Sequence, residues 1–518
     1  MKKINAPAFT LIESRRKNTY FYDQNRQSTQ WCHPLLFHIL KLHDQGVDVD
    51  RWFQQLSDEP VQIKTSRSVF HATKEEIRYY YRKFVLLRER GFFTPTDNTP
   101  YLSGRLTADQ IRASLANSRQ VTFEVTDNCN LQCEYCTYGK FYDDYDRREK
   151  KNLDIAAAKT FLDYLVEFIN SPLNFSHDRL IYIGFYGGEP LLNIRFVREI
   201  VAYVNQLKPL HNSFCFNMTT NALLLEKYMD FLVQHDFRLL ISLDGDSQAN
   251  SYRVFRDGTP AFQEILRNVM ALKTKYPKYF EDRVNFNAVI HKRNTVDHVY
   301  RYFKTTFNKI PNLSELNPAG IKESMKKEFQ DTYANINETL FQAEDYALLE
   351  KDLFTRLPNI NALSKFIDHC SGFAFDNYNE LLSSETPGEL DVRTPTGTCM
   401  PFSRKVFITV NGKILPCERI GFQYAVGTVN EKKVDMDFDT IAATYNRYYD
   451  KIRSQCRVCA NWNDCLQCIF YLNIEKDDPR CSGLMDKKQS AEYLAGNISY
   501  IEEHPQIYKK VMKEVMLE

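Results

Sequence analysis

The 518-residue chain carries thirteen cysteines, and ten of them fall in two tight groups. The first is Cys129, Cys133 and Cys136, within "TDNCNLQCEYCTYG". The second runs from Cys399 and Cys417 through Cys456, Cys459, Cys465 and Cys468 to Cys481. Cys32, Cys215 and Cys370 stand apart. In a reducing compartment, clustered thiols read as metal ligands or catalytic groups rather than disulfides. Three thiolates at the spacing of the first group can be aimed to one side of a short loop. Zinc prefers four closed ligands, often two CxxC pairs, and no histidine lies near. Four-iron clusters take thiolates, usually four, so three leave one iron open to another ligand.

Such a loop needs a scaffold. From Val121 onward, short apolar runs alternate with helical stretches. The runs are "VTFEV", "LIYIGF", "SFCFNM", "LLISL", "VNFNAVI" and "LSELN"; "DIAAAKTFLDYLVEFIN" and "FVREIVAYVNQL" are examples of the helices. Alternating βα units build a parallel sheet through right-handed crossovers, with helices outside. About six units are expected, fewer than a closed eight-stranded barrel. The first cysteine group follows the first strand directly, and Gly187, Gly188 and Glu189 close the second. Glycines at a strand end permit close backbone approach to a ligand.

Residues 1–93 read as a separate module. "FTLIES" and "TYFYD" are strand-like, and "HPLLFHILKLHDQG" is helical. A second helix opens with a capping box from Thr73 to Glu76 and stops at Gly91. Strands followed by helices suggest a winged-helix-like domain. Residues 94–114 are a linker, 115–320 the barrel, 321–395 a helical and loop-rich bridge, 396–485 a cysteine-rich domain and 486–518 a C-terminal helix. "VFITVNGKILPC" reads as a hairpin turning at Asn-Gly. The charge is balanced, 67 basic against 66 acidic residues, with no like-charge block, which argues against a nucleic-acid binder. No run of 18 apolar residues and no secretory signal is present, so a cytoplasmic protein that neither spans nor binds a membrane is expected.

The three-cysteine loop after the first βα strand, with Tyr135 before its third cysteine, resembles the radical S-adenosylmethionine (SAM) superfamily. The resemblance implies a partial (β/α)6 barrel and a [4Fe–4S] cluster on Cys129, Cys133 and Cys136. The open iron would chelate the methionine part of SAM. Reductive cleavage would yield a 5′-deoxyadenosyl radical that abstracts a substrate hydrogen; the cofactor carries the hard chemistry. The implied SAM contacts are Tyr135, the GGEP-like turn at Gly187, Gly188 and Glu189, which would receive the ammonium, and Ser242 and Arg253 of "SLDGDSQANSYR". An arginine fork suits a carboxylate. This stretch departs from the family, with Asp246 and Asn250-Ser251 where Pro and His-Asp often stand. Residues 219–221 ("TTN") and Asn287 lie at the expected barrel mouth as SAM or substrate contacts.

Seven cysteines in the second group could fill two metal sites, and composition alone leaves structural zinc open. Placed after a radical SAM core, the order resembles the SPASM domain with two auxiliary four-iron clusters, making three in all. By that resemblance Cys456, Cys459, Cys465 and Cys481 hold one. Cys399, Cys417 and Cys468 hold the other, with Cys370 as a possible fourth ligand or the site left open. The knuckle has two residues between its last two cysteines where the family has three, which bears on Cys468. SPASM enzymes act mostly on ribosomal peptides, and the N-terminal module resembles the recognition domain by which peptide maturases take a leader as an added strand. The resemblance therefore implies a maturase forming a thioether or carbon-linked crosslink in a precursor peptide, with a flavodoxin- or ferredoxin-type electron donor. The alternative is a sulfatase-maturating type forming formylglycine, for which Glu418 in "LPCER" is a candidate general base. A non-enzymatic alternative is a metal-stabilised peptide-binding adaptor.

Overall fold

The computed structural model describes residues 7–24, 26–66, 69–94, 98–318, 320–353, 360, 363–364, 366–367, 392–462 and 465–512. The chain divides into two compact units: Met1–Arg105, Thr355–Thr398 and Tyr448–Glu518 form one, Leu106–Phe354 and Cys399–Arg447 the other.

In the first unit, β1 (Phe9–Glu13), β2 (Thr19–Asp23) and β3 (Ser28–Trp31) form an antiparallel sheet in that order. Helix Pro34–Asp44 follows, with proline in its first turn and the His33 ring accepting from the Leu35 amide. A short helix Val49–Gln54 and a hairpin of β4 (Val61–Lys64) and β5 (Val69–Ala72) come next. Helix Lys74–Glu89 starts at Thr73, where both halves of the capping box with Glu76 are made. Phe9, Phe21, Leu36, Leu40, Phe84 and Phe93 share one buried cluster. The β3 strand, the 49–54 helix and the β4–β5 hairpin extend the sequence expectation. Their segments, such as "STQW" and "VQIK", are too short for a period to stand out. Helix Lys487–Glu503, capped by Asp486, lies against β1: the Tyr20 hydroxyl and Asn18 amide both donate to Glu502, at 2.6 and 2.7 Å.

The second unit is built on a ten-stranded sheet. Six parallel strands run β6 (Gln120–Thr126), β7 (Leu180–Gly187), β8 (Ser213–Thr220), β9 (Arg238–Ser242), β10 (Val284–Val289) and β11 (Asn312–Ser314) in sequence order. This is the expected six-unit partial barrel. On the β6 edge the sheet continues with β12 (Val406–Ile408), which pairs parallel to Val121–Phe123. Antiparallel β13 (Lys413–Leu415), β14 (Gly427–Val429) and β15 (Val434–Asp435) follow. The expected Asn-Gly hairpin is β12–β13, and it is an extension of the barrel sheet.

Alternation along the strands separates two faces. Ile183, Phe185, Met218, Ile241, Phe286 and Ala288 are buried under the helices. Helix Ile194–Val204 shows how those helices are held: Phe196, Val197, Ile200, Val201 and Val204 are buried on one stripe. Each such burial contributes about 1.5–3 kcal/mol, more than helix propensity supplies. The intervening residues, among them Tyr186, Asn217, Thr219, Ser242, Asn285 and Asn287, are only partly buried. The concave face is therefore polar and accessible. No helix among the described residues is long and apolar enough to cross a membrane.

Candidate active site

The cysteine loop leaves the C-terminal end of β6, where parallel α/β folds gather their ligands. Its turns are closed by the Cys136 amide on the Cys133 carbonyl (3.2 Å) and the Gly139 amide on the Cys136 carbonyl (2.7 Å). It is tied to the 252–254 segment through Gln132 N to Val254 O (2.8 Å) and Glu134 N to Tyr252 O (3.1 Å). The Arg256 guanidinium donates to the Asn128 side chain (2.8 Å) and the Cys129 carbonyl (3.0 Å). Cys129 Sγ accepts from the Leu131 amide at 3.4 Å and from Asn221 Nδ2 at 3.7 Å. The three thiols are close enough to act electrostatically on one another. Burial pushes Cys129 up to about 11 and Cys133 up to about 12, so both are neutral thiols until a metal displaces the proton.

Among the described residues no three His, Cys, Asp or Glu side chains converge as ligands of a single ion would. A four-iron cluster sets its thiolates on separate irons, so a wider set of sulfurs around one loop fits it, and the all-sulfur donor set is the right chemistry. Cys129, Cys133 and Cys136 are thus the residues that would hold such a cluster.

The GGEP-like turn packs tightly on the root of the cysteine loop. Gly187 has φ +125, and a Cβ on Gly188 would overlap the Asn128 carbonyl oxygen. The Gly188 amide donates to Thr126 O (2.7 Å) and the Glu189 amide to Asn128 O (2.9 Å). The close approach is to the protein's own backbone at the root of the cysteine loop. Glu189 is fully buried and accepts from the Leu191 amide (3.1 Å), the Thr220 hydroxyl (2.7 Å) and the Asn221 amide (2.7 Å). Burial lifts its carboxyl to about 7 against those three bonds. These three donors tie it to the ends of β7 and β8 and leave Oε2 with a single donor among the described residues, so an acceptor position remains for a further group.

Tyr135 is buried, and its hydroxyl donates to Asp244, a residue the sequence reading left without a role. Arg253 grips the same carboxylate with two bonds of 3.0 Å and lies over the Tyr135 ring. Ser242 and Asn287 are opposed across β9 and β10 on the accessible face, and Asn287 Oδ1 accepts from Ser314 at 2.7 Å. Two further residues belong here by position. Glu124, on the concave face of β6, accepts from the Val410 amide at 3.0 Å, and burial lifts its carboxyl to about 7. Tyr186, on the same face of β7, is influenced by both Cys136 and Glu418. Strand alternation places both on the interior, and that was the signal available.

Glu418 follows Cys417, its Oε2 3.7 Å from the sulfur. Burial works to raise its carboxyl, but Lys405 at 3.0 Å, joined by Arg419, holds it below the ordinary value. Burial pushes Cys417 up to about 11, and Cys399 is exposed. In the first unit Cys456, Cys459, Cys465 and Cys481 act electrostatically on one another. Gln455 ties their segments, accepting from the Cys481 amide (2.9 Å) and donating to Pro479 O (2.7 Å). Cys468 belongs to the first unit, Cys399 and Cys417 to the second. Cys370 lies outside the described residues.

Comparison with known proteins places these features. Residues 123–305 match the model of the Radical SAM superfamily. An uncharacterized protein of Methanocaldococcus jannaschii is 31% identical over 160 residues, 30% of this chain and 49% of that protein. The radical SAM cyclopropyl synthase TigE of Paramaledivibacter caminithermalis is 23% identical over 225 residues, 42% of this chain and 44% of that protein. The chain thus spans less than half the length of these curated relatives. Among solved structures, native anSMEcpe with bound AdoMet and Kp18Cys peptide aligns with a TM-score of 0.51 at 16% identity, over 76% of this chain and 99% of that one. At that identity the likeness concerns the fold.

Proposed function

We propose, from the match of residues 123–305 to the Radical SAM superfamily, that the protein is a radical SAM peptide maturase. It would cleave SAM reductively and install a thioether or carbon-linked crosslink in a ribosomally made precursor. The observation that carries the reading is the partly exposed polar face of β7–β10, opening beside a loop with three mutually influencing thiols. The cluster and SAM, when bound, supply the radical that takes a hydrogen from substrate.

The chain's own residues supply the rest. Cys129, Cys133 and Cys136 hold the cluster, and Gly187, Gly188 and Glu189 fix the root of their loop and would receive the SAM ammonium. Ser242, Asn287 and Thr219 line the face on which SAM and substrate lie. Cys456, Cys459, Cys465 and Cys481 hold one auxiliary cluster, and Cys399, Cys417 and Cys468 a second, giving three in all. Glu418 stays ionised beside Lys405, where it can accept a substrate proton as the sulfatase-type alternative requires. A leader peptide binds the N-terminal module, and an external low-potential donor supplies electrons.

The test is dithionite-driven formation of 5′-deoxyadenosine by anaerobically reconstituted protein. Wild type should form it. The Cys129→Ala/Cys133→Ala/Cys136→Ala variant should not, while retaining about eight irons on the auxiliary sites. Product formation by the triple variant would overturn the assignment.

A further inference from the structure

Asp244 is fully buried two residues beyond β9, and its carboxylate is the meeting point of three segments. Oδ2 accepts from Arg253 Nε at 3.0 Å and from the Tyr135 hydroxyl. Oδ1 accepts from Arg253 Nη2 at 3.0 Å and from the Val289 amide at 3.0 Å. Tyr135 stands between Cys133 and Cys136, Arg253 lies in the segment that anchors the cysteine loop, and Val289 ends β10. The backbone of Asp244 is itself pinned: its amide donates to Asn250 Oδ1 at 3.1 Å. The remaining Arg253 nitrogen, Nη1, has no hydrogen-bond partner among the described residues. The guanidinium lies over the ring of Tyr135, inside the cysteine loop, 5.5 Å from its centroid.

We propose that Asp244 is a positioning residue that fixes the Arg253 fork so that its free Nη1 meets the SAM carboxylate. The inference rests on the reading of Arg253 as a SAM contact. A buried arginine without a counter-charge would be costly, and one held by a single contact would swing. Two parallel charge-assisted bonds fix both the plane and the direction of the guanidinium. The pair is neutral overall, so an arriving carboxylate gains from a prepared donor direction more than from net charge.

That distinction gives the test its sign. Asp244→Asn leaves the charge of Arg253 uncompensated. If net charge governed SAM binding, the variant would bind SAM more tightly. If orientation governs, the Asn side chain, which offers an N–H₂ where an oxygen accepted, frees the fork, and affinity falls about tenfold or more. The measurement is equilibrium dialysis of labelled SAM against the reconstituted protein, with the SAM-induced change in the EPR spectrum of the reduced cluster as the spectroscopic readout. The KM for SAM should rise while kcat for uncoupled cleavage at saturating SAM holds. Wild-type or tighter binding by Asp244→Asn overturns the proposal. Arg253→Lys keeps the charge and loses the fork, and should lose affinity to a similar degree. If Asp244→Asn does not fold, wild-type affinity in Arg253→Lys overturns the proposal instead. Arg253→Ala separates the premise from the inference. Wild-type affinity there removes Arg253 as a SAM contact, whereas weak binding there with normal binding in Asp244→Asn removes Asp244 alone.

Discussion

Glu124 is 2% exposed and its one described hydrogen bond is the 3.0 Å contact from the Val410 amide. Burial raises its carboxyl from 4.5 to about 7, outweighing the pull of Arg148. A carboxyl whose folded value is raised favours the folded state when protonated. Its contribution is fully present below about pH 4.5 and is lost as pH rises through about 7. Glu124→Gln keeps an acceptor for Val410 and never ionises. At pH 8 it should stabilise the protein by up to about 3 kcal/mol, and at pH 5 by under about 1 kcal/mol. Thermal melts of both proteins at the two pH values decide the matter; an equal shift in melting temperature at pH 5 and pH 8 would count against it. Residue identity alone was enough to find the cysteines, because their spacing is local. It was not enough to find Asp244 or to see that Glu189 is held by Thr220 and Asn221, because both depend on donors from distant segments. Tyr135, Arg253 and Val289 meet at one carboxylate only after four crossovers are in place.

At the scale of elements, the barrel strands were legible because each is a compact apolar run between amphipathic helices. The attachment of β12 to β6 was not, since pairing between residues 406–408 and 121–123 leaves no local trace. That attachment has a consequence at the cysteine loop. Asn411 and Lys413, on the β12–β13 hairpin, both donate to Asp146, at 2.8 and 2.7 Å, so the hairpin braces the segment after the cysteines. The other brace is the 187–188 turn, where backbone meets backbone at residues 126–128. Gly188→Ala sets a methyl group against the Asn128 carbonyl, which no rotamer change relieves. The expected cost is about 1–3 kcal/mol, with displacement of the loop root. Reconstituted Gly188→Ala should therefore lose about four irons per chain while the auxiliary sites stay filled. A full iron content with normal SAM cleavage would show that the turn yields without disturbing the loop. Zinc in place of iron on Cys456, Cys459, Cys465 and Cys481 would instead favour the structural-zinc reading of that knuckle, and elemental analysis of the same samples reads both metals.

For the whole molecule, the proposed activity requires a place to recruit a precursor peptide, and the N-terminal sheet offers a physical answer. Its β1 side lies against helix Lys487–Glu503, with the Arg15 amide on Ser499 Oγ at 2.9 Å and Tyr20 on Glu502. Removing residues 1–93 would strip that helix of its support, so a point change is the sharper probe. At the other side β3 pairs only with β2 among the described residues. The register opposes Tyr20 to Trp31, and the Cys32 amide donates to Thr19 O at 2.9 Å. Hydrogen-bonded and non-bonded pairs alternate in an antiparallel ladder, so the Trp31 amide and carbonyl point away from β2 toward the open edge. Its side chain is 63% exposed. A leader added as a fourth strand would bond to these groups. Trp31→Pro removes the outward N–H without breaking the β2–β3 ladder, and an edge strand tolerates proline there. Trp31→Ala removes only the ring. If main-chain pairing recruits the leader, Trp31→Pro should weaken precursor binding roughly tenfold, more than Trp31→Ala does. Uncoupled SAM cleavage should be unchanged in both, because the cysteines proposed to hold the radical cluster and the residues proposed to contact SAM lie in the second unit. Fluorescence anisotropy with a labelled precursor measures the affinities. Equal affinity in Trp31→Pro and wild type would remove the β3 edge as the docking strand and leave the N-terminal sheet as a support for the C-terminal helix.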